Sequence, residues 1–296
     1  MIDLRDQTFG VEVETVGMKR EQAAKLVAAM FGTQAYYAGG GYDTWECKDK
    51  EGRVWKFMSD GSLHTVNGAV KGCEVVTPVL VYKDIETLQQ VVRLLRLVGA
   101  KADNSCGIHV HVGADKHTPQ SMTNLMKMFI GKEDTIYRGL KISEQRTQSY
   151  TKKVNRHLVQ RIAEGARPRT FDAWKRLWYE SHGESTSAAS FHYDGSRYHG
   201  LNYHAYFNRG KTVEFRLFNG TMHAGKIKAY VQFCLALSAK AINSRTVSME
   251  KVDSVDEKHM YGCWLLRLGL VGDEFATCRE HVMAGLQETA ETRRAA

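Results

Sequence analysis

Proline is scarce in this chain of 296 residues: only Pro78, Pro119 and Pro168 occur. That excludes a proline-rich linker or stalk. Cysteine is sparse and unpaired in pattern. The six, at 47, 73, 106, 234, 263 and 278, form no C-x-x-C and no disulfide-scaffold spacing, so reduced thiols in a core are expected. A long hydrophobic run is also missing. The most apolar stretch, 230–242, is short and contains Lys240, too little to span a bilayer. The opening MIDLRDQTFG lacks a basic stretch followed by an apolar one, so no signal peptide is expected and the cytoplasm is the expected location. No internal repeat is found, and the 26 glycines are scattered.

What is present is ordinary globular material, 43% hydrophobic and 25% charged, which excludes disorder as the main state. The length suits one large domain or two small ones. The net charge of +8 is local, because segment 141–180 holds ten Lys/Arg against four acids. Tyr150, Phe171, Trp174, Trp178 and Tyr179 are interleaved with them. Three readings fit: a nucleic-acid surface, a mouth that attracts an anionic substrate such as a nucleotide, or a solvated helical face.

Hydrophobic periodicity predicts strands at 9–16, 42–47, 53–58, 73–81, 107–112, 201–207 and 212–218. It predicts helices at 20–31 (closed by Gly32), at 85–98 (stopped by Gly99) and from Thr118-Pro119 to about Ile130. Residues 135–181 and the chain from Ala224 onward read as mainly helical, and 182–200 as a long loop. Strands and helices mix without strict alternation, so the expected class is α+β with a largely antiparallel sheet.

Side chains two apart on a strand share a face. Glu12 and Glu14 therefore pair on the first strand, His109 and His111 on a later one, and Glu214 and Arg216 on a third, each with apolar residues opposite. Glu74 opens Cys73-Glu-Val-Val-Thr-Pro78. If these strands share a sheet, one face is core and the other is crowded with carboxylates. Crowded carboxylates repel and take up protons unless cations bind. Oxygen-rich donors favour Mg²⁺ or Mn²⁺ over zinc. Arg216 suits a bidentate grip on phosphate or carboxylate. Together these are the requirements of phosphoryl transfer.

The set FGVEVE, CEVVTP, GIHVHV and TVEFRLFNGT, in that order over residues 9–221, resembles the amidoligase family of phage and bacterial proteins, related to glutamine synthetase and glutamate–cysteine ligase. Ser59-Asp-Gly-Ser-Leu63, Arg197-Tyr198 and Leu201-Asn202 add accessory matches. The resemblance implies a glutamine-synthetase-like catalytic domain: a curved, mostly antiparallel sheet with helices packed on one face. It would be a single domain over 1–296, with a basic, mainly helical segment at 115–200 and a helical region at 224–290. It implies ATP-dependent joining of a carboxylate to an amine with Mg²⁺ or Mn²⁺. Carried over by position, Glu12, Glu14, Glu74, His109 and Glu214 would be metal ligands. His111 would sit near the phosphates, and Arg216 would meet the transferring phosphoryl group. Asp60, Arg197 and Asn202 are candidates for substrate or phosphate contact, and Asp60 or water would complete the site at Glu74. Segment 182–200 is the candidate lid. Small-molecule or peptide substrates, a possible homo-oligomer, no membrane and no nucleic acid are expected. Two alternatives stay open: a zinc metallohydrolase built on His109 and His111, and a nucleic-acid binder using 141–180.

Overall fold

The computed structural model describes residues 1–61, 63, 72–249, 251 and 256–287. Expectations falling on Ser62 or on 288–290 lie outside the described residues. The fold is α+β with antiparallel strand pairing, as expected. The chain divides into two compact units, one of residues 8–111 and 218–228, the other of 1–7, 112–217 and 229 onward.

The first unit contains β1 (Thr8–Thr15), α1 (Arg20–Phe31), β2 (Ala35–Gly39), β3 (Thr44–Lys48), β4 (Val54–Met58), β5 (Cys73–Val76), β6 (Leu80–Val81) and α2 (Ile85–Leu97). It also holds most of β7 (Gly107–Gly113). The strands run in the order β2-β3-β4-β5-β1-β7, with β6 paired to the start of β1. Helix α1 packs across β2 to β5, and α2 packs against α1. The helix-facing layer is apolar, with Val11, Val13, Cys47, Trp55, Phe57, Val75, Ile108 and Val110 all buried. Gly32 ends α1 in the left-handed conformation at φ 74°, where a side chain would be strained.

The strand expected over 73–81 is interrupted. Pro78 offers no N–H to a ladder, and the Thr77 hydroxyl takes over: it accepts the Val11 N–H at 2.9 Å and donates to the Pro78 carbonyl. The edge strand β2 was not expected, and its Tyr36 and Tyr37 are exposed.

Gly220, in the Phe218-Asn-Gly-Thr221 stretch, donates its N–H to the Cys106 carbonyl at 2.9 Å. A Cβ there would lie 2.4 Å from Cys106 Cβ and 2.8 Å from its carbonyl oxygen. Overpacking against backbone costs about 1–3 kcal/mol. Gly220→Ala is therefore expected to lower the free energy of unfolding by that amount, read as a lower urea midpoint with the m-value unchanged. A midpoint within error of wild type would show that the contact yields freely.

The second unit contains α3 (Pro119–Gly139), α4 (Glu144–Gln148), α5 (Arg156–Ala163), α6 (Phe171–Ser181), β8 (Leu201–Asn202) and most of β9 (Thr212–Asn219). It also holds most of α7 (Ala224–Asn243), then α8 (Glu257–Arg267) and α9 (Ala276–Val282). Thr118 caps α3: its hydroxyl accepts the Ser121 N–H, while Ser121 Oγ accepts the Thr118 N–H. The helix outruns its expected end at Ile130 because Glu133, Ile136, Tyr137 and Gly139 continue its buried face.

The strand expected over 201–207 stops at Asn202. The Asn202 side chain accepts the His204 N–H at 2.7 Å, a turn that competes with the ladder. A π-helical turn follows over Tyr206–Gly210. Segment 182–200 holds two short 3-10 turns and buries Ala188, Ala189, Ser196 and His199.

All six cysteines are free thiols, and all but Cys263 are buried. Among the described residues no helix is long and apolar enough to cross a membrane. Of the aromatics of 141–180, Trp174, Trp178 and Tyr179 are at most 1% exposed, while Tyr150 and Phe171 are half-buried. Part of the charge is internally paired as well. Lys153 reaches Asp134, Arg161 reaches Glu180, and Arg146 is buried.

Candidate functional site

The first unit gathers ionisable groups on the face of β1, β5 and β7 that α1 does not cover. On β1, Phe9, Val11 and Val13 are buried in the core, so alternation places Glu12 and Glu14 on the opposite face. The register sets Glu14 directly against Glu74, and Glu12 against Val76. On β7, buried Ile108 and Val110 alternate with His109 and His111.

These side chains meet at ion-pair distance. His109 Nδ1 lies 2.7 Å from Glu12 Oε2, and its Nε2 lies 3.6 Å from Glu14 Oε1. His111 Nε2 lies 3.1 Å from Glu12 Oε1. The Gly107 N–H donates to Glu14 Oε2 at 2.5 Å. Burial pushes the Glu12 carboxyl up. The charge of His111 and hydrogen bonds from both histidines outweigh it and hold the group well below the usual carboxylate range.

Among the described residues, two donor sets on this face can hold a cation: Glu12 with Glu74 and His109, and Glu14 with Asp60 and Glu74. Within each, one ligand atom per residue lies within 4.8 Å of the others. Ligands about 2.1 Å from a six-coordinate ion stand roughly 3.0–4.2 Å apart, a spacing that atoms within 4.8 Å of one another reach by small side-chain shifts. Their chemistry fits Mg²⁺ or Mn²⁺, being mostly carboxylate. Asp60 adds a third acid beside the Glu14–Glu74 pair.

The second unit organises Arg216. Its guanidinium donates to Glu214 Oε1 at 2.9 Å, and Asn202 Nδ2 donates to Glu214 Oε2 at 2.6 Å. Asn202, Glu214 and Arg216 are all buried. Asn202 pairs with Glu214 across β8 and β9, so the short strand places the amide on the acid. The Tyr198 ring supports both cations: the guanidinium carbons of Arg216 and Arg197 lie 5.7 Å and 5.8 Å from its centroid, within cation–π range. Arg197 also donates to the His192 carbonyl.

Of the residues expected in the site, Glu12, Glu14, Asp60, Glu74, His109 and His111 gather in the first unit. Asn202, Glu214 and Arg216 gather in the second, and Arg197 joins them through Tyr198. Sequence reasoning passed over Arg146, which is 3% exposed and reaches the Arg216 carbonyl at 3.4 Å. No local signal separates it from the other basic residues of 141–180. The role of the Tyr198 ring was equally hidden, although its place beside Arg197 could have flagged it.

Compared with known proteins, residues 5–238 match a protein-family model described as "Putative amidoligase enzyme". No curated protein matches the chain in sequence.

Proposed function

The chain belongs to the amidoligase family, and from that premise we propose that it is an ATP- and Mg²⁺-dependent carboxylate–amine ligase working through an acyl phosphate. The observation that carries the reading is the pair of carboxylate-rich donor sets Glu12–Glu74–His109 and Glu14–Asp60–Glu74. Divalent ions held there would neutralise the triphosphate and orient it.

The chain's own residues have separate tasks. Glu12, Glu14, Glu74 and His109 hold the ions, with Asp60 completing the set at Glu74. His111 holds Glu12 in its ionised form. Glu214 serves as a further metal ligand and fixes one edge of Arg216, whose other N–H groups meet charge developing on the transferring phosphoryl oxygens. The substrate carboxylate oxygen attacks the γ-phosphorus, and ADP leaves. An amine then displaces phosphate from the acyl carbon, giving the amide. The substrates are a small-molecule or peptide carboxylate and an amine. Segment 182–200 is the candidate lid that keeps water from the acyl phosphate. Zinc hydrolysis by His109 and His111 is the weaker reading, because it gives no role to the carboxylate set Glu14–Asp60–Glu74 or to Arg216.

The test is calorimetric binding of a non-hydrolysable ATP analogue, with and without Mg²⁺, to wild type and to Glu214→Gln. Wild type is expected to bind only with Mg²⁺, and Glu214→Gln to lose at least tenfold in affinity. No binding with Mg²⁺ or Mn²⁺ would overturn the ligase reading.

A further inference from the structure

His182 and His199 meet ring to ring in the second unit, with their Nε2 atoms 3.0 Å apart. The other nitrogen of each ring is committed. His182 Nδ1 lies 2.7 Å from the Trp178 carbonyl oxygen, and His199 Nδ1 lies 2.7 Å from the Lys153 carbonyl oxygen. A carbonyl oxygen only accepts, so each Nδ1 must carry the hydrogen. A neutral imidazole has one N–H, which leaves two bare Nε2 lone pairs facing each other at contact distance. That arrangement repels. One added proton turns it into an N–H···N hydrogen bond with every ring nitrogen satisfied. A tetrahedral metal ion does not resolve the clash, since two nitrogens about 2.05 Å from zinc stand about 3.3 Å apart.

The pair sits on the strap that supports Arg216. Gly200 accepts the Arg216 N–H at 2.8 Å and donates to the Lys152 carbonyl at 2.9 Å. The Tyr198 carbonyl accepts the Lys152 N–H at 2.9 Å. Residue 199 is thus flanked by the ring that underlies the Arg216 guanidinium and by the carbonyl that holds its backbone. We propose that His182 and His199 share one proton, and that this proton makes them positioning residues for Arg216.

The groups facing the pair divide in their effect. The Trp178 indole packs against both imidazoles, with ring centroids 4.7 Å from His182 and 6.3 Å from His199, and it favours a cation. Asp194 favours charge on His182, while Lys152 opposes it on His199. The Lys153 ammonium is drawn away to Asp134. Burial pushes both imidazoles below the ordinary histidine value, His199 to about 4. The pair therefore takes its proton in the acid range. The rings part, and the strap loosens, as pH rises toward neutrality.

The ligase reading gives Arg216 its importance, but the test needs neither substrate nor ATP. Long-range ¹⁵N–¹H spectra of the whole chain over a pH series report which ring nitrogens carry protons. Hydrogen exchange of the Arg216 amide, corrected for its intrinsic rate, reports the strap. In wild type one proton is expected to enter at Nε2 of the pair, both Nδ1 atoms staying protonated throughout. Protection at Arg216 should rise about tenfold across that step. In His182→Gln the side-chain amide donates to His199 Nε2 without a proton, so high protection should persist at every pH. Two results would overturn the proposal: a bare Nδ1 on either ring, or a His182→Gln variant with the wild-type pH dependence.

Discussion

Arg216→Lys is expected to lower the rate of ADP formation by about 10²–10³-fold while leaving Mg²⁺-dependent ATP affinity within a fewfold of wild type. Under the ligase reading, Arg216 works chiefly in the transition state, where charge spreads over the phosphoryl oxygens, and a single donor of this kind contributes about 2.7–4 kcal/mol. The positive charge survives the substitution, so an effect of this size isolates geometry. A guanidinium can bond Glu214 at one edge, as the 2.9 Å contact shows, and still present other N–H groups. An ammonium is a point charge and cannot form that planar fork. The Tyr198 ring, 5.7 Å below the guanidinium carbon, holds its plane. Asn202→Ala removes the amide that donates to Glu214 at 2.6 Å. It should cost about tenfold, through looser placement of the acid. The measurement is a coupled ADP assay over a matrix of amines and carboxylates, read as kcat and KM separately. If Arg216→Lys turns over within threefold of wild type, the assigned role is wrong.

Legibility in the sequence followed burial. Strands β1 and β7 alternate because one face is core, and that periodicity marks Glu12, Glu14, His109 and His111 in the sequence itself. Helix α1 was equally clear, from its apolar spacing and from Gly32. Strand β2 escaped notice because it is an edge with little apolar periodicity, and Tyr36 and Tyr37 face solvent. Two breaks were invisible for another reason. The Thr77 hydroxyl and the Asn202 amide replace ladder bonds with side-chain bonds, and β-rich composition cannot report such substitutions. Register was also out of reach. That Glu14 stands directly against Glu74 depends on how segments some 60 residues apart align, which no local pattern encodes. Arg146 shows the same limit from the side of charge: a buried arginine inside a basic stretch looks like its solvated neighbours.

The register pairing of Glu14 with Glu74 leads to a variant whose effect changes sign with the metal. Both acids are buried, at 2% and 6% exposure, and Asp60 reaches the same point. Like charges directly opposite on paired strands destabilise a sheet, and burial strengthens the repulsion by removing water. Glu14→Gln removes one charge and keeps the shape. Its amide oxygen can still accept the Gly107 N–H that Glu14 Oε2 accepts at 2.5 Å. In chelator the variant is therefore expected to be more stable than wild type, by about 1 kcal/mol. With Mn²⁺ the order reverses. An ion at about 100 times its Kd stabilises the folded state by about 2.7 kcal/mol, or several degrees of Tm for a chain of this size. Wild type gains that rise, whereas Glu14→Gln, short of a ligand carboxylate, gains little. Differential scanning calorimetry of both proteins in chelator and in Mn²⁺ reads all four values at once. Equal Mn²⁺ responses in the two proteins would remove Glu14 from the ligand set. A wild type indifferent to Mn²⁺ would mean that these carboxylates are stabilised by the protein alone.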